Sequence, residues 1–178
     1  KRDDDYGGDL AGRMRFPLEV VTAVRTAIGG DLPILYRISG DEHQDNGLCL
    51  DDVCAIAPHL VAAGVNLVDV SAGMYETNWW ITQPMEMPQG VLAPLAREVR
   101  KHVDVPVSVS GRITDPSVAE HLIESGTSDF VTLGRALDFE FMSMLASVWV
   151  WFAIAAWAIV FVLLVVALFR TMRQRTPT

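Results

Sequence analysis

The chain has 178 residues, 51% of them hydrophobic, and a formal net charge of −8. All 22 acidic residues lie within residues 1–141, whereas residues 142–178 carry arginines and no acid. An acidic folded part argues against nucleic acid as a partner, because phosphate binding needs a basic face.

The first half of the chain predicts helix, strand and helix. A helix is expected from near Phe16, because apolar residues recur at spacings of three until a glycine pair ends the run. The short apolar run at 33–38 predicts a buried strand, and a polar loop follows it. Residues 51–63 predict a second helix, which Gly64 closes.

The second half repeats this alternation. Strands are predicted at 65–71, 105–110 and 129–134, and helices at 92–103 and from Pro116 to the residue before Gly126. Asp115 is expected to cap the last helix, with Pro116 at its first position. The loop at 72–90 is too long to be only a connector.

Four strands that alternate with helices and are apolar nearly throughout predict a parallel sheet buried on both faces. Polar residues and glycines follow each strand, at the end where α/β folds bind ligands. The alternation alone does not separate an open sheet from part of a (β/α)8 barrel. A complete barrel needs about 250 residues, so residues 1–141 hold at most a part of one.

Two Gly-Arg pairs follow consecutive predicted strands. Gly111 and Arg112 come after the third strand, and Gly134 and Arg135 come after the fourth. Glycine lets backbone amides approach an anion, and arginine adds a fork of donors. The repeated pair indicates a phosphate held between two loops. The alternative is two turns with surface arginines.

Arg37 lies inside an apolar strand, where a buried arginine needs a partner. It either faces an anionic or electron-rich ligand, or pairs with a carboxylate such as Asp69 on the next strand. In the long loop, Tyr75, Trp79 and Trp80 either line a substrate pocket or pack the loop down.

The remaining candidate residues predict no metal site and no iron–sulfur cluster. Cys49 and Cys54 are five apart, which is not a ligand spacing, so both are expected as reduced core or loop residues. His43 lies in a loop at the strand ends and is a weak candidate site residue. The other three histidines are predicted on the surface: His59, His102 and His121.

Five segments in order resemble the old yellow enzyme family, in its NADH:flavin oxidoreductase and 2,4-dienoyl-CoA reductase branch. They are DDDYGGDLAGRMRFPLEVVTAVRTAIG, YRISGDE, GVNLVDVSAGMYET, VPVSVSGRITDP and DFVTLGRAL, and they cover residues 3–137. The resemblance implies an FMN-binding (β/α)8 barrel that passes a hydride from NAD(P)H to FMN and on to an activated alkene. Residues 1–141 then correspond to the C-terminal half of that barrel, with four βα units.

The resemblance also implies roles for individual residues. Arg37 matches the basic residue beside the flavin N1 and O2 edge. Gly111 with Arg112, and Gly134 with Arg135, match the two phosphate loops. Tyr75 matches part of the substrate-side loop.

The departures from the family predict that this chain alone is inactive. The family's catalytic histidines and its proton-donating tyrosine lie upstream of the first matching segment. The iron–sulfur cysteine cluster of the dienoyl-CoA reductase branch has no counterpart here. No catalytic residue is therefore assigned within this chain.

Residues 142–178 are predicted as a separate unit, a single transmembrane helix with a short basic tail. Residues 145–169 carry no charge, and at 1.5 Å per residue they reach about 37 Å, enough to cross a bilayer core of about 30 Å. Arg170, Arg173 and Arg175 follow the span, which favours a cytoplasmic C-terminus by the positive-inside rule.

Two functions are consistent with this organisation. The first is an FMN-dependent NAD(P)H oxidoreductase fragment attached to the cell membrane as a single-pass protein. The alternative is a non-enzymatic single-pass subunit of a larger membrane complex, whose span packs on other subunits while the half-barrel is fused or vestigial. Small residues at Ala153, Ala156 and Ala158 are suited to such helix packing.

Overall fold

The computed structural model describes residues 2–134, which contain a four-stranded parallel sheet and the helices packed against it. The strands are β1 (Leu35–Ser39), β2 (Leu67–Ser71), β3 (Val107–Val109) and β4 (Phe130–Val131). The helices are α1 (Leu10–Ile28), α2 (Leu50–Ala62), α3 (Asn78–Ile81), α4 (Ala93–Arg100) and α5 (Pro116–Glu124). The predicted alternation of helices and strands is confirmed, and each strand is shorter than its apolar run.

The caps explain where two helices begin. Asp115 caps α5 as predicted, because its carboxylate accepts from the Ser117 amide at 2.9 Å, and Pro116 is the first helical residue. The expected start of α1 was wrong. Asp9 Oδ1 accepts from the Gly12 amide at 2.8 Å, so the helix begins at Leu10, directly after Asp9, and continues through Pro17.

The strands lie in the sheet in chain order, β1-β2-β3-β4, and every neighbouring pair is parallel. Right-handed crossovers between strands in sequential order place the connecting helices on the same side of a sheet. A doubly wound open sheet would instead require a reversal of strand order. The order therefore matches consecutive βα units of a barrel.

One face of the sheet carries the core, and this corrects the expectation of a sheet buried on both faces. Val68, Val70, Val107 and Val109 are fully buried and cluster with apolar residues of α2 and α4. Side chains of the opposite face alternate with them along the strands. On that face, termed the open face below, Leu35 is 64% exposed and Phe130 is 52% exposed.

The described part of the chain does not test the predicted transmembrane segment. Among residues 2–134, no helix combines the length and the apolar character that a membrane span requires. The predicted span at 145–169 and its arginine-containing tail lie outside the described residues.

Candidate functional site

Arg37 lies on the open face at the middle of β1. Its side chain is 56% exposed, so the expectation that it is buried was wrong. Its Nε donates to Asp69 Oδ2 at 2.6 Å, and the two residues are register partners on β1 and β2. The predicted ion pair with Asp69 is therefore present. Among the described residues, the two terminal amino groups of Arg37 have no hydrogen-bond partner.

Asp69 is linked onward to β3 and to the end of β4. Its second oxygen, Oδ1, accepts from Thr132 Oγ1 at 3.0 Å. Thr132 Oγ1 lies 2.7 Å from Ser108 Oγ. A line of polar side chains thus crosses the open face from Arg37 to Ser108. Asp69 was identified from the sequence, but Ser108 and Thr132 were missed. These two residues alternate with apolar neighbours in the third and fourth predicted strands, and this alternation was the available signal.

The loop after β3 adopts a conformation that favours glycine. Gly111 has a φ of +100° and Arg112 a φ of +39°. A Cβ added at Gly111 would lie 2.8 Å from Leu92 Cδ1 and 2.9 Å from Leu92 Cγ, too close for an ordinary contact. Glycine at this position therefore meets both the backbone requirement and the close packing of the loop on Leu92.

The donors of this loop are unused within residues 2–134. Neither the Gly111 amide nor the Arg112 amide donates a hydrogen bond to a described residue, and the Arg112 guanidinium has no described partner. The N-terminus of α5 is occupied by its own cap. Hydrogen bonds from the Ser117 side chain and then its amide lower the pKa of the Asp115 carboxyl, which keeps that cap anionic. The loop amides and Arg112 are therefore the donors that remain available here among the described residues.

The second predicted phosphate loop lies at the limit of the described residues. Gly134 follows β4 in the chain, and nothing lies within 4 Å of a Cβ placed on it. Arg135 is outside the described residues. The role of this Gly-Arg pair stays a prediction.

The long loop after β2 contains a 3-10 turn, Tyr75–Thr77, followed by α3. Tyr75 is 92% exposed, and Trp79 is exposed as well. Trp80 is packed against His43, with ring centroids 3.8 Å apart in a stacked arrangement. Of the three aromatic residues, Trp80 packs the loop down, whereas Tyr75 and Trp79 are left accessible.

Groups of side chains that could bind a metal ion can be assessed in residues 2–134. Within residues 2–134, no group of three histidine, cysteine, aspartate or glutamate residues could hold an ion. Cys49 is exposed, Cys54 is buried, and both are free thiols. Burial raises the pKa of the Cys54 thiol. The expectation that the chain holds no metal or iron–sulfur cluster stays a prediction.

Comparison with known proteins identifies the class. Residues 1–142 match the NADH:flavin oxidoreductase / NADH oxidase family over most of the chain, and the protein belongs to that family. This confirms the family resemblance and the parallel α/β architecture of barrel oxidoreductases. FMN and NAD(P)H are the cofactors that the family implies.

Two curated relatives and one solved structure are among the most similar proteins. The NADH oxidase of Thermoanaerobacter brockii is 42% identical over 137 residues, which are 77% of this chain and 21% of the relative. The cinnamate reductase of Clostridium sporogenes is 33% identical over 150 residues, covering 76% of this chain and 23% of the relative. A 2-naphthoyl-CoA reductase in complex with 2-naphthoyl-CoA is 26% identical with a TM-score of 0.66, covering 74% of this chain and 20% of that chain.

The chain therefore spans only 21% and 23% of the length of these two relatives. The residues present nevertheless fit part of an FMN site. Among residues 2–134, the left-handed loop has unused amides and an arginine without a described partner, which suits a phosphate. Arg37 is exposed and its amino groups have no described partner, which suits the electron-rich edge of a flavin ring.

Proposed function

We propose that residues 1–141 supply one half of the FMN site of an NAD(P)H-dependent oxidoreductase. The observation that carries the proposal is the guanidinium of Arg112, which has no described partner and belongs to a loop whose amides are unused among the described residues. An accessible guanidinium beside free backbone amides offers an anion several charge-assisted hydrogen bonds, so this arrangement favours a bound anion. Family membership makes the FMN phosphate that anion.

The proposed division of roles follows the geometry of the strand ends. Gly111 and Arg112 hold the phosphate through amides and guanidinium, and by resemblance to the family Gly134 and Arg135 are proposed as a further phosphate loop. Arg37 stabilises negative charge on the N1 and O2 edge of the ring. When bound, FMN accepts a hydride from NAD(P)H and passes it to the substrate.

The proposed substrate is an alkene activated by a neighbouring carbonyl or an extended conjugated system. Relatives named for the reduction of cinnamate and of 2-naphthoyl-CoA support this class. We assign Tyr75 to the substrate side, and its exposure in the loop after β2 supports this role. In the family the catalytic residues lie upstream of the segments that match here, so we propose that residues 1–141 contribute flavin binding and no catalytic residue.

The test compares FMN with riboflavin, which lacks the phosphate. Flavin fluorescence titrations of the full chain in detergent are expected to show tighter binding of FMN than of riboflavin. Arg112→Gly should remove most of that preference, by about tenfold or more, since a charge-assisted contact contributes about 1.5–3 kcal/mol. Riboflavin affinity should stay unchanged.

Two features make this variant discriminating. The φ of +39° at Arg112 is strained for a side chain, so glycine relieves strain while it removes the guanidinium, and thermal stability should not fall. Arg15→Met, which removes an exposed arginine on α1, serves as the matched control and should bind both flavins as the wild type does. Equal affinity of the wild-type chain for FMN and riboflavin would refute the phosphate site.

We also propose that residues 145–169 attach the protein to the cell membrane as one span with a cytoplasmic C-terminus, and that small residues on it pack against other membrane subunits. The uncharged length of the segment and the arginines after it support this proposal. After alkaline carbonate extraction the full chain should stay with the membrane pellet, whereas a chain ending at residue 141 should not. Release of the full chain into the supernatant would contradict the proposal.

A further inference from the structure

The line of polar side chains on the open face contains one residue from each of β1, β2 and β3 and one residue that follows β4. Arg37 is on β1, Asp69 on β2 and Ser108 on β3, and Thr132 directly follows β4. Three contacts of 2.6, 3.0 and 2.7 Å join them in the order Arg37, Asp69, Thr132 and Ser108. The line therefore depends on the sheet as a whole and not on a local turn.

The direction of each hydrogen bond follows from the chemistry of the groups. The Asp69 carboxylate accepts from Arg37 with one oxygen and from Thr132 with the other. The single proton of the Thr132 hydroxyl is thereby used, so Ser108, which is 3% exposed, must donate to Thr132. Both oxygens of Asp69 are committed, and its side chain is only 13% exposed.

A second arginine–aspartate pair shows what Arg37 does differently. Arg100 binds Asp129 through two donors, with Nε at 3.1 Å from one oxygen and Nη2 at 2.9 Å from the other. Arg37 uses Nε alone, on Asp69 Oδ2, while Thr132 donates to the other oxygen and fixes the orientation of the carboxylate. The terminal amino groups of Arg37 are consequently unused within the described residues, on the exposed face of the sheet.

We infer that Asp69 and Thr132 are positioning residues for Arg37: Asp69 fixes the guanidinium through Nε, and Thr132 holds the Asp69 carboxylate in the orientation that leaves the terminal amino groups of Arg37 to a ligand. The inference rests on the proposed function, in which that ligand is the electron-rich edge of the flavin ring. Its own content is that a hydroxyl two strands beyond Asp69 controls how Arg37 is held.

The experiment measures riboflavin and FMN affinity of the full chain in detergent. Thr132→Val removes the hydroxyl at nearly constant shape and frees the Asp69 carboxylate to rotate, so that Arg37 is no longer held in its wild-type position. It is expected to weaken both flavins about tenfold, whereas Arg112→Gly weakens FMN alone. Thr132→Ser keeps the hydroxyl and should restore wild-type affinity. Asp69→Asn should weaken both flavins, and Asp129→Asn, the same change in the other pair, should weaken neither.

A double-mutant cycle then separates positioning from a general structural effect. In an Arg37→Met background, Thr132→Val should cause no further loss of riboflavin affinity, because it acts only through Arg37. Equal losses with and without Arg37, or wild-type affinity of Thr132→Val, would overturn the inference while leaving the proposed function in place. If the wild-type chain binds neither flavin, the proposed function fails and this inference fails with it.

Discussion

At the scale of single residues, the sequence predicted which side chains matter better than it predicted how they are arranged. Arg37 and Asp69 lie at matching places in consecutive predicted strands, so their ion pair could be foreseen. The bond from Thr132 to Asp69 could not, because it passes over β3 and depends on the order and stagger of the strands. The exposure of Arg37 could not be predicted from its apolar neighbours in the sequence either, because it depends on the open face of the sheet.

Gly111 gives a prediction at this scale. Gly111→Ala should lower the free energy of unfolding by about 2 kcal/mol or more, because a side chain at this φ is strained and its Cβ also meets Leu92. Urea unfolding followed by circular dichroism measures the change.

Gly126→Ala is the matched control. Gly126 also has a positive φ, of +67°, but nothing lies within 4 Å of its Cβ position, so only the backbone cost of about 1 kcal/mol applies. Equal losses for the two variants would show that the Leu92 contact does not constrain the loop.

At the scale of elements, the helices and strands were predictable because the apolar periods and caps act locally. Asp115 and Pro116 mark the start of α5 in sequence and in structure alike. Asp9 is an equivalent capping residue for α1, but the predicted start followed the later apolar run. The predicted strands were longer than the observed ones, because apolar residues continue into the loops beyond the hydrogen-bonded part of each strand.

Asp129 gives a pH prediction, because it joins β3 to α4. The Arg100 side chain, and then the Val107 amide, lower the pKa of the Asp129 carboxyl below its ordinary value of 3.8. A lowered folded-state pKa adds stability above pH 3.8 that is lost as pH falls through the folded value. Asp129→Asn should cost about 1–2 kcal/mol at neutral pH, and its deficit should shrink below about pH 4.

Thermal melts of Asp129→Asn and the wild type between pH 2 and pH 7 measure this difference. Glu120→Gln, an exposed carboxyl on α5, is the control and should follow the wild type throughout. A deficit of Asp129→Asn that stays constant over the whole pH range would contradict the linkage.

At the scale of the whole described unit, exposed apolar residues lie on the open face of the sheet and along α1. Leu35 and Phe130 lie on the open face at opposite edges of the sheet, on β1 and β4. Phe16, Val20 and Val24 form an exposed stripe at a spacing of four along α1, next to the β1 edge in the chain. Within residues 2–134, β1 and β4 each pair with one strand only, so each leaves one strand edge without a described partner.

The open face predicts a binding site for apolar dyes. The double change Leu35→Thr and Phe130→Thr should lower the fluorescence of the dye ANS with little change in stability, within about 0.5 kcal/mol, because both side chains are exposed. Leu60→Ala, in the buried core, should instead cost about 2–5 kcal/mol. Unchanged dye fluorescence in the double variant would place the apolar surface elsewhere.

The central claim is that this chain holds the phosphate of FMN, and phosphorus NMR of FMN mixed with the full chain in detergent tests it most directly. We predict that the FMN resonance shifts and broadens with the wild-type chain and stays at the free position with Arg112→Gly. A resonance that stays at the free position with excess wild-type chain would contradict the account.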